Sequence, residues 1–225
     1  MVEILELPRK LEIEGICKRE EILRKYFLAN AEVTDYERGY ISVEFINQEI
    51  EIKLQGYAAD IIAWHIKANN KINEEKPKAN KIVQIPYSGN SLATSVAERL
   101  GYNMILGRKE LEPPPTWKKA LPIENVRSFT GEKGVNFVFN GIEEGICYHI
   151  IDDCVAEGEI GLRAIKEFRE KGAVVNSMSV YFSKLFQPGV SEIKEYTGIE
   201  VFSVLEVKEI TPEGEIFLAP AQFKK

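Results

Sequence analysis

Sulfur and imidazole are nearly missing from this chain, which carries three cysteines (Cys17, Cys147, Cys154) and two histidines. With no C-x-x-C pair and no His/Cys cluster at ligand spacing, neither a zinc site nor a disulfide framework is supported, and the thiols read as small buried filler. Long apolar runs are missing as well. No stretch approaches the roughly 20 residues that a membrane helix requires, and Met1–Glu14 is laced with Glu, Arg and Lys, unlike the apolar centre of a signal peptide. The expectation is a cytoplasmic protein with no membrane partner. Clustered basic charge is lacking too. The formal net charge is −6 and Lys118-Lys119 is too short a run to neutralise phosphates, which argues against nucleic acid as a partner. None of the patterns G-x-S-x-G, H-E-x-x-H, G-x-G-x-x-G or the Walker A loop occurs, and no internal repeat or low-complexity tract is visible.

What is present is a hydrophobic fraction of 44% in 225 residues, enough for a full core, read as one domain with an appendage. From Lys81 onward, short β-rich runs alternate with helical patterns, as in right-handed βαβ units with a parallel sheet. Strands are expected at Lys81–Pro86, Asn103–Gly107, Gly145–Ile151, Ala173–Phe182 and Glu200–Leu205. Helices are expected at Ala58–Ala68, Ser91–Leu100, Glu159–Lys171 and Ser191–Thr197, the last three followed by Gly101, Gly172 and Gly198 at positions that suit a left-handed cap. In the third, Leu162, Ile165 and Phe168 mark the buried face. Residues 1–56 differ. Alternation at Val2–Leu7, Ile41–Phe45 and Glu49–Leu54 suggests antiparallel strands around a helix at Arg19–Leu28, a small α+β cap on a core spanning 57–225. The stretch 109–141, with Pro113-Pro114-Pro115, reads as a long loop holding a hairpin near Val126–Phe129 and Val135–Phe139.

One segment carries the chemistry. Tyr148–Ile160 reads as an apolar strand that ends in Asp152 and Asp153, followed by a Gly-containing turn that opens a helix. Open α/β sheets bind ligands at the carboxyl ends of their strands, and backbone N–H groups at a helix N-terminus attract anions. Charge at the end of an apolar strand is expensive unless a cation or hydroxyl pairs with it. A second turn, Ile85-Pro86-Tyr87-Ser88-Gly89-Asn90-Ser91, runs from a strand into a helix, and Gly89 permits close approach. Third, Arg108-Lys109 follows a strand end and suits a diphosphate, Arg as a bidentate fork and Lys as a point charge.

In this order the three elements resemble the core of the type I phosphoribosyltransferases across roughly the C-terminal two-thirds of the chain. The resemblance implies a three-layer α/β fold with a mostly parallel sheet and transfer of 5-phosphoribosyl from 5-phosphoribosyl diphosphate to a nitrogenous base, a purine by general look. It implies Mg²⁺ as cofactor, a homodimer, and Asp152 and Asp153 as the catalytic pair that holds the ribose hydroxyls and the metal. Ala156, Glu157, Gly158, Glu159 and Ile160 would then receive the 5-phosphate, while Ser88, Gly89, Asn90, Arg108 and Lys109 take the diphosphate. Glu157 and Ile160 depart from the hydroxyl residues usual in that loop. A carboxylate ~5 Å from a phosphate oxygen costs on the order of 3 kcal/mol at an effective dielectric near 20. That leaves two expectations open: a weakened phosphate loop, or one retuned to a related ribosyl ligand without the phosphate. A non-catalytic metabolite sensor on the same fold is the alternative function. Gly158 is expected to keep the backbone open to ligand, His149 and His65 to be packed or hydrogen-bonded, and Trp117 to be either a stacking surface for a base or a loop aromatic.

Overall fold

The computed structural model describes residues 3–47, 51–72, 77–86, 89–109, 116–117, 119–126 and 134–223. The chain begins with α1 (Glu3–Asn30), β1 (Glu32–Asp35), β2 (Tyr40–Ser42), α2 (Glu44–Asn47) and α3 (Ile52–Ile72). It continues through β3 (Lys81–Gln84), α4 (Asn90–Leu100), β4 (Asn103–Lys109), β5 (Ala120–Val126), β6 (Val135–Asn140) and β7 (Cys147–Val155). The remainder is α5 (Glu159–Glu170), β8 (Val174–Lys184), α6 (Gly189–Thr197), β9 (Val201–Ile210) and β10 (Ile216–Leu218). Eight strands form one sheet in the order β10-β9-β8-β7-β3-β4-β6-β5. The contiguous run from β9 to β4 is parallel, and β10, β6 and β5 join it antiparallel.

Two apolar layers enclose the sheet. On one face α1, α3 and α4 bury Phe27, Ile61, Ile62 and Val96 with Ile82 and Ile151 of the strands. On the other, α5 and α6 bury Phe168, Ile165 and Ile193 with Val83, Ile150 and Val180. Central strands covered on both faces read as continuous apolar runs, which is why β7 is legible from Cys147 to Ile151. The buried stripe of α5 is Gly161, Ala164, Ile165 and Phe168, an i, i+3, i+4, i+7 set. Leu162, expected on that stripe, is only partly buried.

The cap differs from its sequence reading. Of the expected strand Val2–Leu7, Val2 lies outside the described residues and Glu3–Leu7 belong to α1, which absorbs the expected helix Arg19–Leu28. Glu, Leu, Lys and Arg, strong helix formers, dominate that stretch, and a short alternation of apolar residues fits either period. Of the expected strand Glu49–Leu54, Glu49 and Ile50 lie outside the described residues and Ile52–Leu54 open α3. Ile41 and Ser42 lie in β2, but Glu44 and Phe45 already belong to α2. The hairpin after β4 is present with its first strand placed earlier, at Ala120–Val126, while Arg127–Phe129 lie outside the described residues. Pro122 in this strand cannot donate to a ladder hydrogen bond. It is tolerated because β5 is the sheet's edge.

His149 is packed as expected. Its ring is fully buried and hydrogen-bonded to the Ser177 hydroxyl at 2.6 Å and the Ser179 hydroxyl at 2.9 Å. Burial, with a smaller contribution from His65, lowers its pKa to about 3. His65 stacks on Phe202 at 3.8 Å and burial lowers its pKa to about 4.

Glu20 of α1, 1% exposed, ties the segment after β10 to the helical layer. Its carboxylate accepts the N–H groups of Gln222 (2.8 Å) and Phe223 (3.1 Å), and Arg24 donates to Ala219 O at 2.6 Å. Phe223 then packs edge-on against Trp64 at 5.3 Å. Replacing Glu20 by Ala strips two backbone donors of their charged acceptor, so Glu20→Ala should lower stability by about 1–3 kcal/mol in denaturant melts. A midpoint unchanged from wild type would show that the segment is not held through this carboxylate.

Candidate active site at the carboxyl edge of the sheet

Register sets the heights of the candidate groups. Gln84 of β3 pairs with Leu106 of β4 on one side and Ile151 of β7 on the other, and the Ile85 N–H donates to Ile151 O at 3.0 Å. Gly107 therefore stands level with Asp152, and Arg108 with Asp153, about 10 Å away across β3 at ordinary strand spacing. Both pairs lie inside their strands. The sequence reading ended β7 before the acidic pair and β4 before Arg108, whereas β7 runs to Val155, and Arg108 and Lys109 pair with Val138 and Phe137 of β6.

Between them sits the turn after β3. A Cβ on Gly89 would lie 3.1 Å from the Asp152 Cα, so the turn rests directly on the acidic pair's backbone. Gly89 is also the N-cap of α4 and no side chain among the described residues caps the helix, which leaves first-turn N–H groups available to an anion. Asn90 is the exposed first residue of α4, and Ser88 lies outside the described residues. Arg108 is exposed, and its guanidinium carbon lies 4.9 Å from the Trp117 ring centroid.

The turn after β7 is built on two glycines. Gly158 has φ +77°, in the left-handed region, and precedes α5, whose first residues are Glu159 and Ile160. A Cβ on Gly158 would lie 2.6 Å from the Gly189 Cα, while the Gly189 N–H donates to Ala156 O at 2.9 Å. The expected reason for a glycine at 158 was access for ligand. The geometry supplies another: a left-handed backbone and a glycine-to-glycine contact with the start of α6. Glu157 is half-buried, Ile160 packs partly against the α5 layer, and no side chain caps α5.

Asp152 is the electrostatic centre. Burial raises its pKa well above the ordinary carboxylate value, and the neighbouring charge of Asp153 adds to the rise. The Asp153 N–H donates to Asp152 Oδ1 at 2.9 Å, which opposes it. A buried carboxylate in this state is relieved by a bound cation or by hydroxyl donors.

No family model matches the chain. The xanthine phosphoribosyltransferase of Agathobacter rectalis is 30% identical over 167 residues, covering 73% of this chain and 81% of that protein. The chain belongs to the type I phosphoribosyltransferases. A xanthine phosphoribosyltransferase of Bacillus cereus is 28% identical over 176 residues, 77% of this chain and 84% of its own length. Among solved structures, the adenine phosphoribosyltransferase of Leishmania donovani superimposes with a TM-score of 0.62 at 18% identity, covering 82% of this chain and 79% of that one. That of Trypanosoma brucei, in complex with AMP, pyrophosphate and ribose-5-phosphate, gives 0.62 at 15% identity over 80% and 79%. At such identities the structural likeness speaks for the fold.

In this phosphoribosyltransferase, sequence reading missed Lys184. The last residue of β8 is 2% exposed, and its ammonium donates to Gly39 O at 2.8 Å. Burial lowers its pKa, opposed by the nearby Cys154 and Asp153. The turn between β1 and β2 thus reaches the same edge, where Gly39 abuts Phe186 and the Gln187 side chain donates to Arg38 O at 3.1 Å. The signal was faint: a lysine just beyond the expected strand end at Phe182, before the tight turn Phe186-Gln187-Pro188-Gly189.

Two outcomes follow for stability. Because the folded state holds the Asp152 proton more tightly than the unfolded chain, stability falls as pH rises from the ordinary carboxylate range near 4 through the elevated folded value. Asp152→Asn keeps the Oδ1 acceptor and removes the charge. It should melt about 2–4 °C higher at neutral pH, roughly 1 kcal/mol at this size, with the gain shrinking toward pH 4. A lower melting point at neutral pH would contradict a strained carboxylate. In Gly189→Ala the new methyl falls within contact distance of Ala156 O and 2.6 Å from the Gly158 N. Overpacking of this kind should cost about 1–3 kcal/mol in denaturant melts, and an unaltered midpoint would mean the turn yields freely.

Proposed function

We propose that the chain transfers the 5-phosphoribosyl group of 5-phosphoribosyl diphosphate to a purine base and releases pyrophosphate. The observation that carries this reading is the contact of the Gly89 turn with the backbone of Asp152, which sets a helix N-terminus beside the buried Asp152 and the half-buried Asp153. Family membership supplies the reaction class. Relatives named for xanthine transfer speak for a purine acceptor and lend nothing to a sensor without catalysis.

In the proposed reaction a ring nitrogen of the base attacks C1 of the ribose, the bond from C1 to the diphosphate oxygen breaks, and the nitrogen's proton is lost. Positive charge gathers on the ribose ring in the transition state. Asp152 and Asp153 hold the ribose hydroxyls, and their charge faces the developing cation. The N–H groups around Gly158 and at the start of α5 receive the 5-phosphate, with Glu157 turned toward water. The first turn of α4, together with Ser88, Gly89, Asn90, Arg108 and Lys109, takes the departing diphosphate, for which fixed cations and N–H donors matter more than covalent chemistry.

Mg²⁺ suits this set. Asp152 and Asp153 offer hard oxygen donors, the raised pKa of Asp152 marks a carboxylate short of positive charge, and substrate oxygens and water would complete the shell. When bound it would neutralise charge on the diphosphate. The reading includes a homodimer, as is the family's habit, and a cytoplasmic setting. All three cysteines are free thiols, and among the described residues no helix is long and apolar enough to cross a membrane.

The test is an initial-rate assay with 5-phosphoribosyl diphosphate, Mg²⁺ and xanthine, guanine, hypoxanthine or adenine. Nucleotide and pyrophosphate should appear in equal amounts with at least one base. Asp153→Asn should lose about 10²-fold in kcat/KM through mispositioned ribose. No product from any base, with no calorimetric binding of the diphosphate, would remove the proposal.

A further inference from the structure

We infer that Trp117 is a positioning residue for Arg108, holding the guanidinium ready for the diphosphate. This rests on the function proposed above and adds to it a residue outside the anion-binding turns. Arg108 is an exposed side chain on the last part of β4, standing level with Asp153, and its guanidinium lies 4.9 Å from the Trp117 ring centroid. Trp117 itself is half-buried and comes from the segment that leads into the edge strand β5. Two separate parts of the chain thus meet through one cation and one aromatic face.

The chemistry of the pair explains why it suits this place. A long, exposed arginine samples many rotamers, and fixing one of them upon binding costs affinity. A guanidinium over an aromatic face is held by the ring's quadrupole, while its N–H donors, which lie in the guanidinium plane, stay free to grip phosphate oxygens as a fork. Tryptophan is the strongest of the aromatic partners for this contact. Trp117 therefore acts through Arg108 on the diphosphate, and the base-stacking role considered from the sequence is replaced by one on the leaving group.

The decisive experiment is a kinetic double-mutant cycle on the full chain with Trp117→Leu and Arg108→Ala. Trp117→Leu should raise KM for 5-phosphoribosyl diphosphate about two- to fivefold, the effect of an exposed cation–π contact converted to affinity. kcat and the KM of the purine should stay within experimental error, and Trp117→Phe should recover part of the loss because a ring face remains. In the Arg108→Ala background Trp117→Leu should change nothing further. An active wild type with unchanged diphosphate KM in Trp117→Leu would overturn the inference alone. So would a rise confined to the purine KM, or an equal rise with Arg108 absent. A wild type that neither binds nor turns over the diphosphate would overturn the proposed function and this inference with it. Thermal melts of Trp117→Phe and Trp117→Leu at the wild-type midpoint separate these outcomes from unfolding.

Discussion

Pairing of β3 with β7 is the constraint on which the site depends. The ladder from Lys81–Tyr148 to Gln84–Ile151 and the bond from the Ile85 N–H to Ile151 O fix where β3 stops relative to β7. A slip of β3 by one residue would turn Ile82 away from the α4 layer and shift the Gly89 turn relative to Asp152. The same apolar alternation that fills the core therefore aligns the start of α4 with an acidic pair. Packing specifies the register, and the register specifies the site.

That alignment is maintained against an electrostatic cost. Asp152 stands inside a strand, buried, beside a second carboxylate, and accepts the Asp153 N–H. The fold tolerates this because β7 is flanked by β3 and β8 and covered on both faces. Lys184 is strained in the opposite sense, an ammonium withdrawn from water and steadied by a backbone carbonyl of the β1–β2 turn. Lys184 and Asp153 thus stand within electrostatic reach of one another.

Much of this was legible in the sequence, for identifiable reasons. Helices α4 and α6 end at Gly101 and Gly198, both left-handed, as their sequence pattern implied. The parallel strands were readable because burial on both faces makes them apolar throughout. The acidic pair stood out because charge at the end of such a run needs a partner. Other features escaped because their causes are tertiary. Helix α1 could not be told from a strand over a few alternating residues. β5 hid behind Pro122, whose tolerance depends on an edge position that sequence does not reveal. Gly158 was singled out for access to ligand, while its contact with Gly189 escaped because that neighbour lies 31 positions away in sequence and meets it only in the fold.

The Glu20 clamp has a consequence for the order in which the molecule is made. Its acceptor sits on α1 and its donor at Gln222, a separation of 202 residues, so the bond waits until nearly the whole described chain has left the ribosome. Until then a carboxylate destined for 1% exposure remains in water, and α1 lacks the segment that seals its layer. The entropy of closing so long a loop grows only logarithmically with length. Timing, rather than thermodynamic cost, is what the clamp imposes: the sheet with its acidic edge can assemble first, and the helical layer over β9 is locked last.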